Sequence, residues 1–152
     1  MIQILSFCMA LLLAQWTGGW PWAWFQPDWV LLACLLWAIV PQKGLSLSIP
    51  WFLGLLMDVI LQTPLGVHAL GYTLVCFIAM QWRARFVFYA GIQQCFVILG
   101  LLFLSKSIEA ISLWGVLQMP QTGLYWASIL SSVTLWPVLY YIMRRYQKTP
   151  AF

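Results

Sequence analysis

A single acidic residue, Asp58, lies within an otherwise uncharged apolar segment that runs from Ile49 to Leu61. Hydrophobic residues make up 64% of the chain and charged residues only 7%, so a lipid bilayer suits this composition better than water does. A carboxylate near the middle of a membrane helix costs about 2.5–3.5 kcal/mol on insertion scales. We therefore expect Asp58 to have a partner side chain or a functional role.

The segment that contains Asp58 is followed by a short break, and together they predict a helical hairpin. Pro64 ends the first helix, Gly66 permits a tight turn, and the second helix begins near Val67. Counting outward from the break at about 1.5 Å per residue places Asp58 and His68 at similar depth. We therefore expect this acid and the only histidine of the chain to face each other across the hairpin.

Each hairpin helix carries a predicted contact face. Residues three or four apart lie on one side of a helix, and small residues there let two membrane helices approach closely. The glycines expected at this contact are Gly54 and Gly71. The first face consists of Trp51, Gly54, Asp58 and Gln62, and the second consists of His68, Gly71, Tyr72, Val75 and Ala79.

The apolar segments predict one all-α integral membrane domain, residues 1–152, built as a six-helix transmembrane bundle. The expected spans are approximately residues 2–17, 28–41, 45–62, 65–82, 86–104 and 123–143. The first is interpreted as a span and not a signal peptide, because no basic region precedes it. Tryptophans between Trp16 and Trp29 are expected at the membrane–water boundary.

Two features are predicted near the end of the chain. A polar link, residues 105–122, contains Lys106 and Glu109, and its middle, residues 108–117, predicts a short helix along the membrane surface. The last span has small residues at helical spacing, which indicates a contact face for another helix. These residues are Ala127, Ser128, Ser131 and Ser132.

The positions of the basic residues predict the topology. With six spans and a cytoplasmic N-terminus, both termini are cytoplasmic, and six of the seven basic residues lie on the cytoplasmic side. Those six are Lys43, Arg83, Arg85, Arg144, Arg145 and Lys148. Asp28, Lys106, Glu109 and the hairpin tip then lie outside. The basic residues form short clusters without a lipid-free aromatic face, so we expect no nucleic-acid partner.

The sequence offers little for catalysis. One histidine, three acids and the absence of HExxH, GxSxG and phosphate-binding glycine loops argue against an enzyme. The four cysteines lie in apolar runs without a CxxC pair, so we expect packing residues and neither a metal site nor a cofactor.

Two interpretations of Asp58 and His68 stay open. In the first, the pair is a buried hydrogen-bonded contact that holds the hairpin helices together. In the second, it belongs to an interaction surface or a coupling site. The sequence also leaves open whether the chain forms a homo-oligomer.

The hairpin run GLLMDVILQTPLGVHALGYTLV resembles the signature of the rod shape-determining protein MreD family. In that signature a G-x-x-x-D helix is followed by a P-L-G turn and a second apolar helix. FQPDWVLL and the closing LWPVLYYIMRR are also similar to the family, so the resemblance covers about residues 25–148. Asp58, Pro64, Gly66 and His68 occupy its hairpin positions.

The resemblance implies a multi-pass protein of the bacterial inner membrane that takes part in cell elongation. It implies a fold similar to the substrate-binding subunits of energy-coupling-factor transporters, and no enzymatic activity. The partners that it implies are the single-span periplasmic protein MreC and, indirectly, the actin-like MreB and the peptidoglycan synthases.

The leading hypothesis is therefore a non-catalytic membrane scaffold, which would bind other helices through surfaces such as the small-residue face of the last span. The alternative is a solute-binding subunit of a vitamin-type transporter. That alternative needs a polar cavity open to the outside, lined by Asp58, Gln62, His68 and the tryptophans of residues 20–29.

Overall fold

The computed structural model of this protein describes residues 2–16, 26–39, 46–86, 88–113 and 126–148. Within these ranges the chain forms six α-helices and no strand, which confirms the predicted all-α class for this part of the chain. The helices are α1 (Ile2–Trp16), α2 (Trp29–Ile39), α3 (Ser48–Leu61), α4 (Val67–Phe86), α5 (Gly91–Leu113) and α6 (Ala127–Lys148).

The centre of the bundle is α2, which packs against α1, α4 and α6 and touches α3. Its sequence, WVLLACLLWAI, is apolar on every side, and a helix of that kind has no face to present to water. Eight of its eleven residues are accordingly buried. The other close pairs are consecutive in the chain: α3 with α4, α4 with α5, and α5 with α6.

A glycine sets the close approach of α3 and α4. A Cβ atom built on Gly54 would lie 2.3 Å from the Cα atom of Ala69, closer than real atoms approach, so α4 backbone fills the space where a side chain would be. The predicted role of Gly54 is therefore confirmed. Gly71 instead faces α5, where its added Cβ would lie 3.1 Å from the hydroxyl of Ser105.

The outer surface of the bundle is rich in large apolar side chains. Exposed examples occur on α1, α3, α5 and α6: Leu12, Phe52, Val59, Phe96 and Ile142. Among the described helices, α5 is both long and apolar enough to cross a membrane, with 23 residues and a mean hydropathy of 1.9 over its most apolar part. Shorter apolar helices cover residues 5–15, Trp29–Ile39 and Ser48–Leu61.

The boundaries of α5 correct one prediction. The fifth span was expected to end at residue 104 and to give way to a polar link, but α5 continues to Leu113. Lys106 and Glu109 lie one helical turn apart and pair with each other at 2.9 Å, so their polarity is satisfied without leaving the helix. The predicted surface helix at residues 108–117 overlaps the end of α5, and its remainder lies outside the described residues.

The far end of the bundle from the hairpin tip is basic and aromatic. Phe86 packs edge-on against Trp136, with ring centroids 6.0 Å apart, and Arg144 lies over the ring of Tyr140 at 5.4 Å. Arg83, in the last turn of α4, follows His68 by 15 residues, which corresponds to roughly 22 Å along the helix. The arginines and the hairpin tip therefore occupy opposite ends.

Candidate functional site

The carboxylate of Asp58 is the centre of the hairpin. Its Oδ1 atom accepts hydrogen bonds from the hydroxyl of Thr63 at 2.9 Å and from the backbone N–H of His68 at 3.0 Å. Its Oδ2 atom accepts one from the backbone N–H of Gly66 at 2.8 Å. The side chain is completely buried. Asp58 belongs to α3, but its carboxylate accepts hydrogen bonds from the N-terminal N–H groups of α4. It therefore caps α4 as an N-cap side chain would.

The loop between α3 and α4 closes around this carboxylate. α3 ends at Leu61, and Gln62 takes a left-handed conformation with φ of 54°. Gly66 has φ of 104°, a backbone conformation that residues with a Cβ rarely adopt. Pro64 lies in the loop, where its carbonyl accepts a hydrogen bond from the N–H of Val67 at 3.4 Å.

His68 lies between two carboxylates. Its Nδ1 atom is 2.8 Å from Oδ1 of Asp58, and its Nε2 atom is 3.8 Å from Oε1 of Glu109 on α5. The first distance is that of a hydrogen bond, and the second is too long for one. The predicted approach of Asp58 and His68 is therefore present, and the imidazole extends the contact to a third helix.

Lys106 continues the chain of charged groups. Its ammonium lies 2.9 Å from Glu109 and 3.2 Å from Asp28, which directly precedes α2. The backbone N–H of Asp28 donates in turn to the hydroxyl of Ser132 on α6, at 3.1 Å. We call Asp28, Asp58, His68, Lys106 and Glu109 the ionic cluster. It contains all three acids and the only histidine of the chain, and it joins the ends of α2, α3, α4 and α5.

The side chains of the ionic cluster contact one another. Asp58 is engaged by both of its oxygens, and the imidazole and the ammonium each lie between two carboxylates. In the described part of the chain, no group of three or more His, Cys, Asp or Glu side chains is placed to hold a metal ion. Buried charges of opposite sign that pair in this way hold secondary structure elements in one arrangement.

The sequence predicted only part of this site. It placed Asp58, Pro64, Gly66 and His68 at the hairpin, and the structure brings all four into the loop region. It missed Thr63, and it placed Lys106 and Glu109 in a link. The signal for the latter two was their spacing of three residues, which suits a helical ion pair.

Two residues of the predicted hairpin faces point elsewhere. Trp51 and Gln62 are exposed, because α3 packs through Gly54, Met57 and Asp58. The predicted face that contained them is therefore too wide, and neither side chain joins the ionic cluster.

The small-residue face of α6 packs within the chain. Ala127, Ser128 and Ser132 are buried, and Ser131 is half-buried. Ser132 accepts the N–H of Asp28 and donates its own hydroxyl hydrogen to the carbonyl of Ser128 at 2.7 Å. This face is therefore a helix contact, as its spacing indicates, and the contact lies within the bundle. Its use as a surface for the helix of a partner stays a prediction.

A cavity of about 180 Å³ adjoins the ionic cluster. Its polar lining includes Gln26, Asp28, Tyr72 and Lys106, and its apolar lining includes Met57. Asp58, Gln62 and His68 are not among the described residues that line it, contrary to the cavity expected for a solute-binding subunit. The tryptophans at positions 20, 22 and 24 lie outside the described residues, whereas Trp29 does line the cavity.

The fold and the site together define a class of protein: an all-helical bundle that gathers its acidic residues at one end and exposes apolar side chains on its surface. Comparison with known proteins makes the assignment specific. The family model described as rod shape-determining protein MreD matches residues 1–146, and the chain therefore belongs to the MreD family. This confirms the membership predicted from the hairpin, and with it a role in cell shape.

A curated relative supports the same assignment. The rod shape-determining protein MreD of Haemophilus influenzae is 28% identical over an alignment that covers 95% of this chain and 90% of that protein. No solved structure matches the chain. The resemblance to transporter substrate-binding subunits therefore stays a prediction.

Proposed function

We propose that this protein is a non-catalytic scaffold of the bacterial inner membrane, required for rod shape, that organises side-wall peptidoglycan synthesis through other membrane proteins. The observation that carries the proposal is the complete engagement of Asp58 at the hairpin. A carboxylate with both oxygens hydrogen-bonded and no exposed surface stabilises the fold and is not placed to react with a substrate.

The distribution of side chains supports a membrane position. Large apolar residues are exposed on α1, α3, α4, α5 and α6, while Asp58, Lys106 and Glu109 are buried. A soluble domain would bury the former and expose the latter. The chain crosses the bilayer several times, with both termini in the cytoplasm and the ionic cluster near the outer surface.

The two ends of the bundle support this orientation. Arg83, Arg85, Arg144 and Arg145 lie at the end opposite the hairpin tip. Positive residues favour the cytoplasmic side. The hairpin tip therefore faces the periplasm, where a single-span partner of the MreC type would meet it, and MreB and the peptidoglycan synthases are engaged through that partner.

The cavity argues against the rival function of a transporter subunit. Sites for vitamin-sized molecules usually occupy about 300–1,000 Å³. The cavity here measures about 180 Å³, and neither Asp58 nor His68 lines it.

Photo-cross-linking in native membranes tests the scaffold and its orientation together. A photoreactive residue at Leu65, which is 73% exposed at the hairpin tip, is expected to capture a protein with a periplasmic domain. The matched position is Phe88, 87% exposed in the turn at the opposite end, which is expected to capture no periplasmic domain. Capture of the same periplasmic domain from Phe88 and not from Leu65 would reverse the orientation.

Depletion tests the role in shape. Cells that lose the protein are expected to change from rods to spheres, and a plasmid copy of the full chain is expected to restore rods. Unaltered cell shape after depletion would count against the proposal.

A further inference from the structure

Three arginines at the end of the bundle opposite the hairpin tip have no acidic side chain within reach. Arg83 and Arg85 lie in the last turn of α4, and Arg144 lies near the end of α6. The chain contains three acidic side chains, and all three belong to the ionic cluster. That cluster is roughly 22 Å from Arg83 along α4 and roughly 18 Å from Arg144 along α6. No side-chain carboxylate of the chain therefore pairs with these arginines.

The end of α4 supplies too little negative charge to satisfy its own arginines. The C-terminus of an α-helix carries about half an elementary negative charge. Arg83 and Arg85 bring two full positive charges to that turn. Their guanidinium groups therefore remain available to an anion from outside the chain.

An aromatic contact brings the ends of α4 and α6 together. The ring centroids of Phe86 and Tyr140 are 5.9 Å apart, and the guanidinium of Arg144 lies 5.4 Å from the centroid of Tyr140. Arg83 precedes Phe86 by three residues and shares its face of α4, and Arg85 directly precedes Phe86. Arginines from two helices therefore lie around one aromatic contact.

The arginines are accessible, and large side chains with apolar surface are exposed beside them. Arg85 and Arg144 are exposed, and Arg83 is half-buried. Trp82, next to Arg83, is 46% exposed, and Tyr141, three residues before Arg144, is 65% exposed. Positive charge beside exposed aromatic rings is typical of the depth at which lipid head groups meet the hydrocarbon.

We propose that this basic end binds the head group of an anionic phospholipid at the cytoplasmic surface of the membrane. Arg83, Arg85 and Arg144 donate N–H groups to the phosphate oxygens, a contact that the planar guanidinium makes with two parallel hydrogen bonds. Basic pockets between membrane helices bind such head groups. The acyl chains lie along exposed side chains closer to the centre of the bilayer, Val138 and Tyr141.

The cytoplasmic location of this lipid rests on the proposed function, whereas its binding does not. Binding is measured on purified protein in detergent, where the bundle has no inner or outer side. Loss of binding would leave the role in cell shape and the cross-linking at Leu65 unaffected. A reversed cross-linking result would leave the binding unaffected and would place the lipid in the outer leaflet.

Lipid retention tests the site. Full-length protein in an uncharged detergent is titrated with phosphatidylglycerol or with phosphatidylcholine of the same acyl chains, and the retained lipid is counted by native mass spectrometry. Phosphatidylcholine is the matched control, because its head group carries the same phosphate and no net charge. Retention of phosphatidylglycerol is expected to be at least about tenfold higher. Equal retention of the two lipids would overturn the proposal.

Substitutions locate the site. Replacement of Arg83, Arg85 and Arg144 together by glutamine is expected to abolish the preference for phosphatidylglycerol, and each single replacement is expected to lower its retention about fivefold. The unfolding midpoint checks that each variant is folded. A folded triple variant that keeps the full preference would overturn the proposal.

Arg85 provides a second test that does not depend on the triple variant. The position is exposed, so Arg85→Gln removes the charge without disturbing the packing of the bundle. Arg85→Lys keeps the charge and is the matched control, which is expected to retain more phosphatidylglycerol than Arg85→Gln does. Equal retention by these two variants would overturn the proposal.

Soluble glycerol phosphate separates a lipid site from a site for any phosphate. This probe carries the charged group without acyl chains, and at the concentration of the lipid it is expected to displace none of the phosphatidylglycerol. Displacement at equal concentration would mean that the exposed apolar surface contributes nothing. That result would overturn the assignment to a phospholipid.

Discussion

The Oδ1 atom of Asp58 lies 2.8 Å from the Nδ1 atom of His68, and the same oxygen accepts the backbone N–H of His68 at 3.0 Å. One carboxylate thus holds both the side chain and the main chain of the residue opposite it. The consequence is that the turn between α3 and α4 is closed from inside the bundle, and the imidazole is directed towards Glu109 on α5.

Asp58→Asn is expected to destabilise the protein by about 1–3 kcal/mol, because the amide cannot accept from both Gly66 and His68. One of the two backbone donors would face an NH₂ group. The measurement is the thermal unfolding midpoint of the purified variant, together with its abundance in membranes. Reduced abundance with rod shape retained by the remaining protein would indicate a structural role, whereas normal abundance with lost rod shape would indicate a functional one.

Thr63→Val is expected to cost about 1 kcal/mol, since it removes the hydroxyl that donates to Asp58 at 2.9 Å. The matched control is Thr73→Val. That hydroxyl donates to the carbonyl of Ala69 in its own helix and does not touch the ionic cluster. Unfolding midpoints that fall equally for the two variants would show that the bond to Asp58 contributes nothing particular.

Gly54→Ala is expected to destabilise by more than about 2 kcal/mol, because the new methyl group would overlap the backbone of Ala69 and push α4 away from α3. Gly100→Ala is the control, since nothing lies within 4 Å of the Cβ position there. The control should be neutral or slightly more stable, by at most about 1 kcal/mol, from its better helix propensity. The difference between the two unfolding midpoints is the quantity to measure.

Gly66→Ala tests backbone strain, because the added methyl group would clash with no neighbouring atom. No atom lies within 4 Å of its Cβ position, yet φ is 104°, so an alanine is expected to cost about 1–2 kcal/mol. Gly91→Ala meets equally open space without a positive φ and should be tolerated. A Gly66→Ala protein as stable as the Gly91→Ala protein would show that the loop adopts another conformation.

Lys106→Met is expected to cost about 3 kcal/mol, because it leaves the buried carboxylate of Glu109 and the half-buried carboxylate of Asp28 without the ammonium between them. Adding Glu109→Gln should recover part of that loss, since it removes one of the two carboxylate charges that Lys106 no longer balances. The measurement is a double-mutant cycle on the unfolding midpoints. Losses that simply add in the double variant would mean that Lys106 and Glu109 do not interact.

Local spacing was sufficient to predict the hairpin. The break at Pro64 and Gly66 defines where α3 ends and α4 begins, and equal distances from the break set Asp58 opposite His68. Helix ends were predicted within a few residues where a proline or glycine marks them. The end of α5 was predicted too early, because a lysine and a glutamate that are considered separately indicate a polar link. Their pairing within the helix was not predicted.

The remaining members of the ionic cluster could not be predicted in this way. Asp28 and Ser132 are 104 residues apart in the chain and yet lie 3.1 Å from each other, N to Oγ. Such a contact depends on the rotation of α6 about its own axis and on which side of α2 it packs. The same rotation buries Ser128 and Ser132, although their spacing alone is equally compatible with a surface for a partner.

The sequence by itself determined that the chain is helical and apolar, that Asp58 needs a partner, and that the hairpin supplies one, because these follow from composition and from spacing within adjacent helices. Only the tertiary structure decided that Lys106 lies between Asp28 and Glu109 and that a cavity adjoins them. The physical reason is that helix spacing specifies which residues share a face, whereas the packing of all six helices specifies what that face meets.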